Sequence, residues 1–186
     1  NFGNAVAVDG HLVVVAAHQK NLNPSVGAVY VFKRQGAALG YDHLTTLTPT
    51  DMVPVVSFGM AVAIAGNRIA VGAPGQPTNA YSGVVYTFQQ QGKANFKQTA
   101  KLTASDGQNG AYFGHSLGIS AGRLVVGSWA WTALIGGKAK PKSGAAYLYE
   151  VQANETYKQL TKLENDPPGS SEAFGTCVAL DRGRVV

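Results

Sequence analysis

Cysteine is nearly missing from this chain. Its one copy, Cys177, excludes an intrachain disulfide framework, so stability has to come from packing. Charge is scarce too: Asp, Glu, Lys and Arg make up 13% of the residues, about half of the ~25% usual in soluble domains. The net charge of +5 comes from basic residues scattered singly, with no Arg/Lys-rich run interleaved with aromatics, and this patterning points away from nucleic acid. Long hydrophobic runs are absent as well. Apolar stretches such as Leu12 to Ala17 and Ile69 to Ala73 fall far short of the ~18 residues that a membrane helix needs, so membrane insertion by this segment is not expected. Neither an initiator Met nor a signal-peptide pattern opens the chain, and the expectation is a mature product or a piece of a longer protein.

What the sequence has in excess is glycine, 23 of 186 residues against about 7% in average proteins. The glycines recur in phase. Phe-Gly occurs at 2–3, 58–59, 113–114 and 174–175, at spacings of 56, 55 and 61 residues, and a fixed period of this size marks a repeat architecture. Each Phe-Gly opens the same phrase, clearest in the second copy: FGMAVAIAGNRIAVGAP, a variable stretch, SGVVYTF, another variable stretch, then FKQTAKLTASD. Three copies are complete, over residues 1–57, 58–112 and 113–173, and a fourth occupies 174–186.

Within a copy the hydrophobic period is two, which is the period of a strand. In the first segment small residues alternate with branched ones, Ala61, Ala63 and Ala65 against Val62 and Ile64. That pattern predicts a strand buried on both faces, its small side admitting a neighbouring sheet. A Gly-containing turn follows, Asp9-Gly10, Gly66-Asn67 or Gly122-Arg123, with the chemistry of a tight hairpin. The next run is a second core strand. A third segment opens on Gly27, Gly83 or Gly144 and carries aromatics two apart, Tyr30/Phe32, Tyr86/Phe88 and Tyr147/Tyr149, which alternation places on one face. The fourth is more polar, anchored by Leu47, Leu102 and Leu163, as suits an exposed outer strand. Four strands in about 55 residues make one propeller blade, and no helix is predicted.

The Phe-Gly pair, Gly72-Ala73-Pro74 and the following Gly-x-x-Tyr-x-Phe resemble the FG-GAP repeat of integrin α subunits and many microbial surface proteins, over essentially the whole chain. Copies one and three replace the GAP triplet with Ala16-Ala17-His18 and Gly127-Ser128-Trp129, so the hydrophobic frame is stricter than the triplet. The resemblance implies an all-β fold of four-stranded antiparallel propeller blades, about three and a half repeats of a ring that usually has seven. It also implies a secreted or cell-surface location. Three blades alone would leave two large apolar faces uncovered, so the expectation is a fragment of a longer array or closure by association with other copies.

The resemblance brings a calcium question with it, since many FG-GAP repeats carry an Asp-rich loop between the first two strands. Here those turns hold at most one carboxylate each, too few oxygens for a hard cation, and no metal or other cofactor is expected. The same turns place Arg68, Arg123 and Arg184 ten residues after their Phe. They read either as a positive rim for an anionic partner or as solubilising hairpin tips. A recurring Asp at 51, 106 and 166 is expected to bond turn amides.

Copy three's extra length falls mainly between its second and third strands, where Trp129 and Trp131 stand near Lys138, Lys140 and Lys142. Stacking platforms beside positive charge suit sugar or protein recognition; the alternative is packing over the blade edge with lysines for solubility. Asn154-Glu155-Thr156 is an N-glycosylation acceptor in a polar turn. For catalysis nothing is singled out: the histidines lack paired spacing, no nucleophile elbow or phosphate loop is present, and Cys177 falls in the slot of Ala5, Ala61 and Ser116, which predicts a small core residue. The reading is a non-enzymatic recognition or adhesion module whose partner is a protein or glycan on another surface. A self-assembling surface protein and the non-catalytic propeller of a larger secreted enzyme are the alternatives.

Overall fold

The computed structural model describes residues 1–18, 27–36, 40–51, 57–75 and 82–186. Among these no helix occurs. Each full copy is one antiparallel sheet whose strands are hydrogen-bonded in chain order. The first sheet holds β1 (Phe2–Asp9), β2 (Leu12–Ala17), β3 (Ala28–Arg34) and β4 (Tyr41–Leu47), and the second holds β5 (Ala61–Ala65), β6 (Arg68–Ala73), β7 (Val84–Gln91) and β8 (Asn95–Leu102). In the third, β9 (Ser116–Ser120), β10 (Arg123–Ser128), β13 (Ala145–Val151) and β14 (Tyr157–Leu163) pair in that order, and a small hairpin, β11 (Ala133–Ile135) with β12 (Lys138–Lys140), is inserted before β13. The fourth copy contributes β15 (Leu180–Asp181) and β16 (Arg184–Val185). The register carries an irregularity at the same place in all three full sheets, between the third and fourth strands after Val31, Thr87 and Leu148. A recurrent bulge of this kind adds twist to each sheet.

The sheets stack as wedges. First strands lie side by side, β1 on β5, β5 on β9 and β9 on β15, whereas the outer strands diverge. Each interface joins the aromatic face of one sheet to the back of the sheet before it. Phe58 packs edge-on against Tyr86 and Phe88 of its own copy, and Phe113 does the same with Tyr147 and Tyr149. These rings then fill the gap behind the preceding sheet, among Leu12, Val14 and Val29 in one core and Ala70, Val85 and Leu102 in the next. Such edge-to-face pairs add about 0.5–1.5 kcal/mol each beyond the area they bury.

The glycines explain the close approach. A Cβ on Gly83 would collide with the backbone of Phe113, and one on Gly144 with that of Phe174; Gly72 and Gly127 would likewise meet the carbonyls of Gly114 and Gly175. Backbone therefore lies directly on backbone where one copy begins against the last. The contact is hydrogen-bonded: Phe113 N donates to Ser82 O at 2.8 Å, and Phe174 N to Ser143 O at 3.0 Å. Copy one carries Ala16 in the slot of Gly72 and Gly127, and there the methyl faces Gly59 instead.

Two sequence expectations need correction. The first strands are only half-buried, β9 for example having Gly118 as its single buried residue, because each is the edge strand of its sheet. Cys177 is exposed instead of lying in the core. The fourth copy contributes only the β15–β16 hairpin, in keeping with its partial span of 174–186. Tyr30 and Phe32 are half-buried, unlike their counterparts Tyr86 and Tyr147. Their face of the first sheet, with Phe2, Val6 and Val8 exposed on β1, is not covered by another sheet of the described residues.

Candidate functional site

Two of the recurring aspartates, Asp51 and Asp106, hold the start of the site together, adding side-chain partners in the next copy to the turn amide that the sequence suggested. Asp51 accepts hydrogen bonds from Tyr86 Oη at 3.1 Å and Lys101 Nζ at 2.5 Å, both in the following copy. Asp106 repeats the arrangement one copy on, with Tyr147 Oη at 2.7 Å and Lys162 Nζ at 2.9 Å. A carboxylate at the end of one blade is thus clasped by the third and fourth strands of the next. Burial pushes the Asp106 carboxyl up, but the hydrogen bonds from Tyr147 and Lys162 outweigh it and hold the group below the usual carboxylate range; Asp51 behaves alike with Lys101 and Tyr86. Tyr147 is driven well above the ordinary phenol value, first by burial and then by its bond to Asp106.

Around the second clasp the 129–143 connection folds back on the blade and separates its two tryptophans. Trp131 turns inward, 7% exposed, into the core between the second and third sheets. Lys162 Nζ lies 3.7 Å over its ring, and its indole N–H is buried without an acceptor among the described residues. Trp129 stays half-exposed. It leans on Tyr112 at 5.2 Å between ring centroids, meets His115 edge-on at 6.2 Å, and carries Lys142 Nζ 5.7 Å above its ring. The backbone beneath is fixed by Gln108, which both accepts from Thr132 N at 2.9 Å and donates to Thr132 O at 2.8 Å, and by buried Ser143, bonded to Trp131 O and Ala133 N.

Beside Trp131 the fold leaves an open cleft of about 470 Å³. One side is the β11–β12 hairpin, with Leu134 72% and Ile135 39% exposed; the other carries Asp106, Lys162 and Glu164, with Pro168 at the edge. Lys138 and Lys140 sit on the hairpin's second strand, Lys138 exposed and Lys140 half-buried. The structure thus joins Trp129 to Lys142, joins Trp131 to Lys162, and leaves Lys138 and Lys140 apart from both rings.

The arginine positions are not equivalent. Arg68 makes a two-pronged ion pair with Glu155 of the next copy, at 2.9 and 2.7 Å; Arg123 pairs with Glu150 across its own sheet at 3.3 Å; Arg184 is exposed on β16. Asn154 is exposed in the β13–β14 turn, its Oδ1 accepting from Thr156 Oγ1 at 2.6 Å. Sequence reasoning missed Tyr112, His115, Lys162 and Glu164. For Lys162 a signal existed, because Lys101 and Lys162 oppose Tyr86 and Tyr147 in the same register. Tyr112 and His115, flanking Phe113-Gly114, have no counterpart of like chemistry in the other copies.

Comparison with known proteins bears on the fold. No curated protein sequence matches the chain. Among solved structures it is similar to the crystal structure of the Saccharomyces cerevisiae Sqt1, with a TM-score of 0.53 and 13% identity over 87% of this chain. The chain spans 35% of that structure's length, and at this identity the likeness is one of fold. The sequence profile of the FG-GAP repeat matches residues 1–32, 41–88 and 96–149, the three stretches in which Phe-Gly, the glycine slots and the aromatic pairs build successive blades. With the repeat matched in sequence and its glycines found at the blade junctions, the chain belongs to the FG-GAP repeat family.

Proposed function

We propose that this chain is a non-enzymatic recognition module of a secreted or cell-surface protein, binding a protein or glycan through the loops that end its blades. FG-GAP repeats are typical of surface proteins and generally serve as non-catalytic binding or structural units, and rigid sheets carrying variable loops are suited to that task. The observation that carries the reading is the ledge of Trp129 on Tyr112, flanked by His115 and Lys142. A half-exposed, pre-stacked indole offers contact area at little entropic cost, and a nearby ammonium adds polar reach. The ledge is tested by probing a glycan array and a panel of cell-surface proteins with the labelled chain. A ligand whose binding weakens about tenfold or more in Trp129→Ala supports it; binding that is indifferent to this substitution removes the ledge.

A second reading, association between copies, is favoured by the open face of the first sheet. Phe2, Val6 and Val8 are 64%, 59% and 66% exposed there, and apolar area of that kind drives association. Light scattering that rises with protein concentration and falls in Val6→Lys supports it, whereas a monodisperse chain at all concentrations excludes it.

A further inference from the structure

We infer that the cleft beside Trp131 is a subsite for a neutral saccharide, distinct from the Trp129 ledge; the inference rests on the recognition reading above and names a ligand class for it. The cleft's size, about 470 Å³, falls in the range of small-ligand sites, roughly 300–1,000 Å³. Its chemistry narrows the class. Lys162 already lies between Asp106 and Glu164, 2.9 and 3.6 Å from them, with Trp131 beneath it. The place a ligand cation would take is therefore filled from within.

An anion is disfavoured as well, because two carboxylates face the cleft against one ammonium, and like charge there raises the cost of bringing it in. What remains unmet is acceptor capacity. Trp131 lines the cleft with its indole N–H buried and without an acceptor among the described residues, while Asp106 and Glu164 keep lone pairs beyond those used by Tyr147 and Lys162. A carboxylate has about four acceptor sites, and a hydroxyl is a donor and an acceptor at once. A ring of neutral hydroxyls can donate to the free lone pairs of Asp106 and Glu164 without bringing in a second ammonium or a further negative charge. Leu134 and Ile135 also line the cleft and are exposed, and the C–H face of a sugar can cover them while its hydroxyls turn to the acids.

The experiment follows the two indole N–H signals in a proton–nitrogen correlation spectrum, assigned with Trp129→Phe, during titration with the methyl glycosides of glucose, galactose, mannose and N-acetylglucosamine. Arginine methyl ester and glucuronate serve as cationic and anionic probes. The expected result is a saturable shift of the Trp131 signal with at least one neutral glycoside, weakened about tenfold in Glu164→Gln through loss of a charged acceptor and also weakened in Leu134→Asp. No saturable Trp131 shift with any of the four overturns the subsite, as does tighter binding of either charged probe. A sugar that moves Trp129 alone overturns it too, yet leaves the ledge standing. A Trp131 response together with array binding that survives Trp129→Ala supports the cleft and removes the ledge.

Discussion

Replacing Gly83 with alanine tests whether blades are joined backbone to backbone. Gly83 has a φ of +95°, and an added Cβ would stand 2.8 Å from Phe113 N and 2.9 Å from its carbonyl carbon, closer still to the oxygen. The neighbour cannot swing aside as a side chain could, since Phe113 N is itself bonded to Ser82 O and the Phe113 ring is wholly buried. Two costs act together: about 1–2 kcal/mol for an L-residue in left-handed backbone and about 1–3 kcal/mol for overpacking. With a total of about 2–5 kcal/mol, a chain of this size should melt roughly 4–20 °C lower, at about 2–4 °C per kcal/mol.

Gly10→Ala supplies the control. Its φ is +57°, but nothing lies within 4 Å of the added Cβ, so only the backbone cost of about 1–2 kcal/mol applies. Thermal unfolding followed by far-UV circular dichroism on both variants isolates the docking contribution. If Gly83→Ala melts no lower than Gly10→Ala, the claim that blade junctions depend on a missing side chain is wrong.

The clasps make stability depend on acid. A carboxyl whose folded pKa is depressed, as for Asp106, stabilises fully above its unfolded value of about 3.9 and loses that contribution as pH falls through the lower folded value; urea midpoints should therefore drop steeply below about pH 4 in the parent chain and more gently in Asp106→Asn. The Arg68–Glu155 pair is partly exposed, at 26% and 33% of its side chains, so a double-mutant cycle to alanine should return a coupling of about 1 kcal/mol or less that shrinks in high salt. A coupling that ignores salt would contradict the screening assigned to it.

Local chemistry written into each repeat was enough to foretell the four strands of a blade. Alternation at 61–65, the Gly66-Asn67 turn and the tyrosine–phenylalanine pair at 86 and 88 each need only their near neighbours to be read, because strand period and turn preference are local properties. Recurrence in phase then implied identical sheets, and from that the family and the propeller-like stacking. The site was less legible. Trp129 and Trp131 look equivalent in sequence, being two apart, yet one enters a core while the other stays at the surface. That choice depends on where the second sheet's back and the Lys162 side chain lie, and no pattern within the loop encodes either.

The same division holds across the molecule. The sequence by itself determined which segments become the four strands of each blade, where they turn and that every copy must shelter its neighbour, since these follow from residue size and period; the β11–β12 hairpin inside the copy-three loop was not among them. Only the tertiary structure decided that Asp51 and Asp106 reach the tyrosine and lysine of the next blade, that Arg68 is paired with Glu155, and that Cys177 stands exposed. Those outcomes rest on contacts between residues some 35 to 87 positions apart and on which faces another sheet covers. Both come into being only when the wedges are stacked.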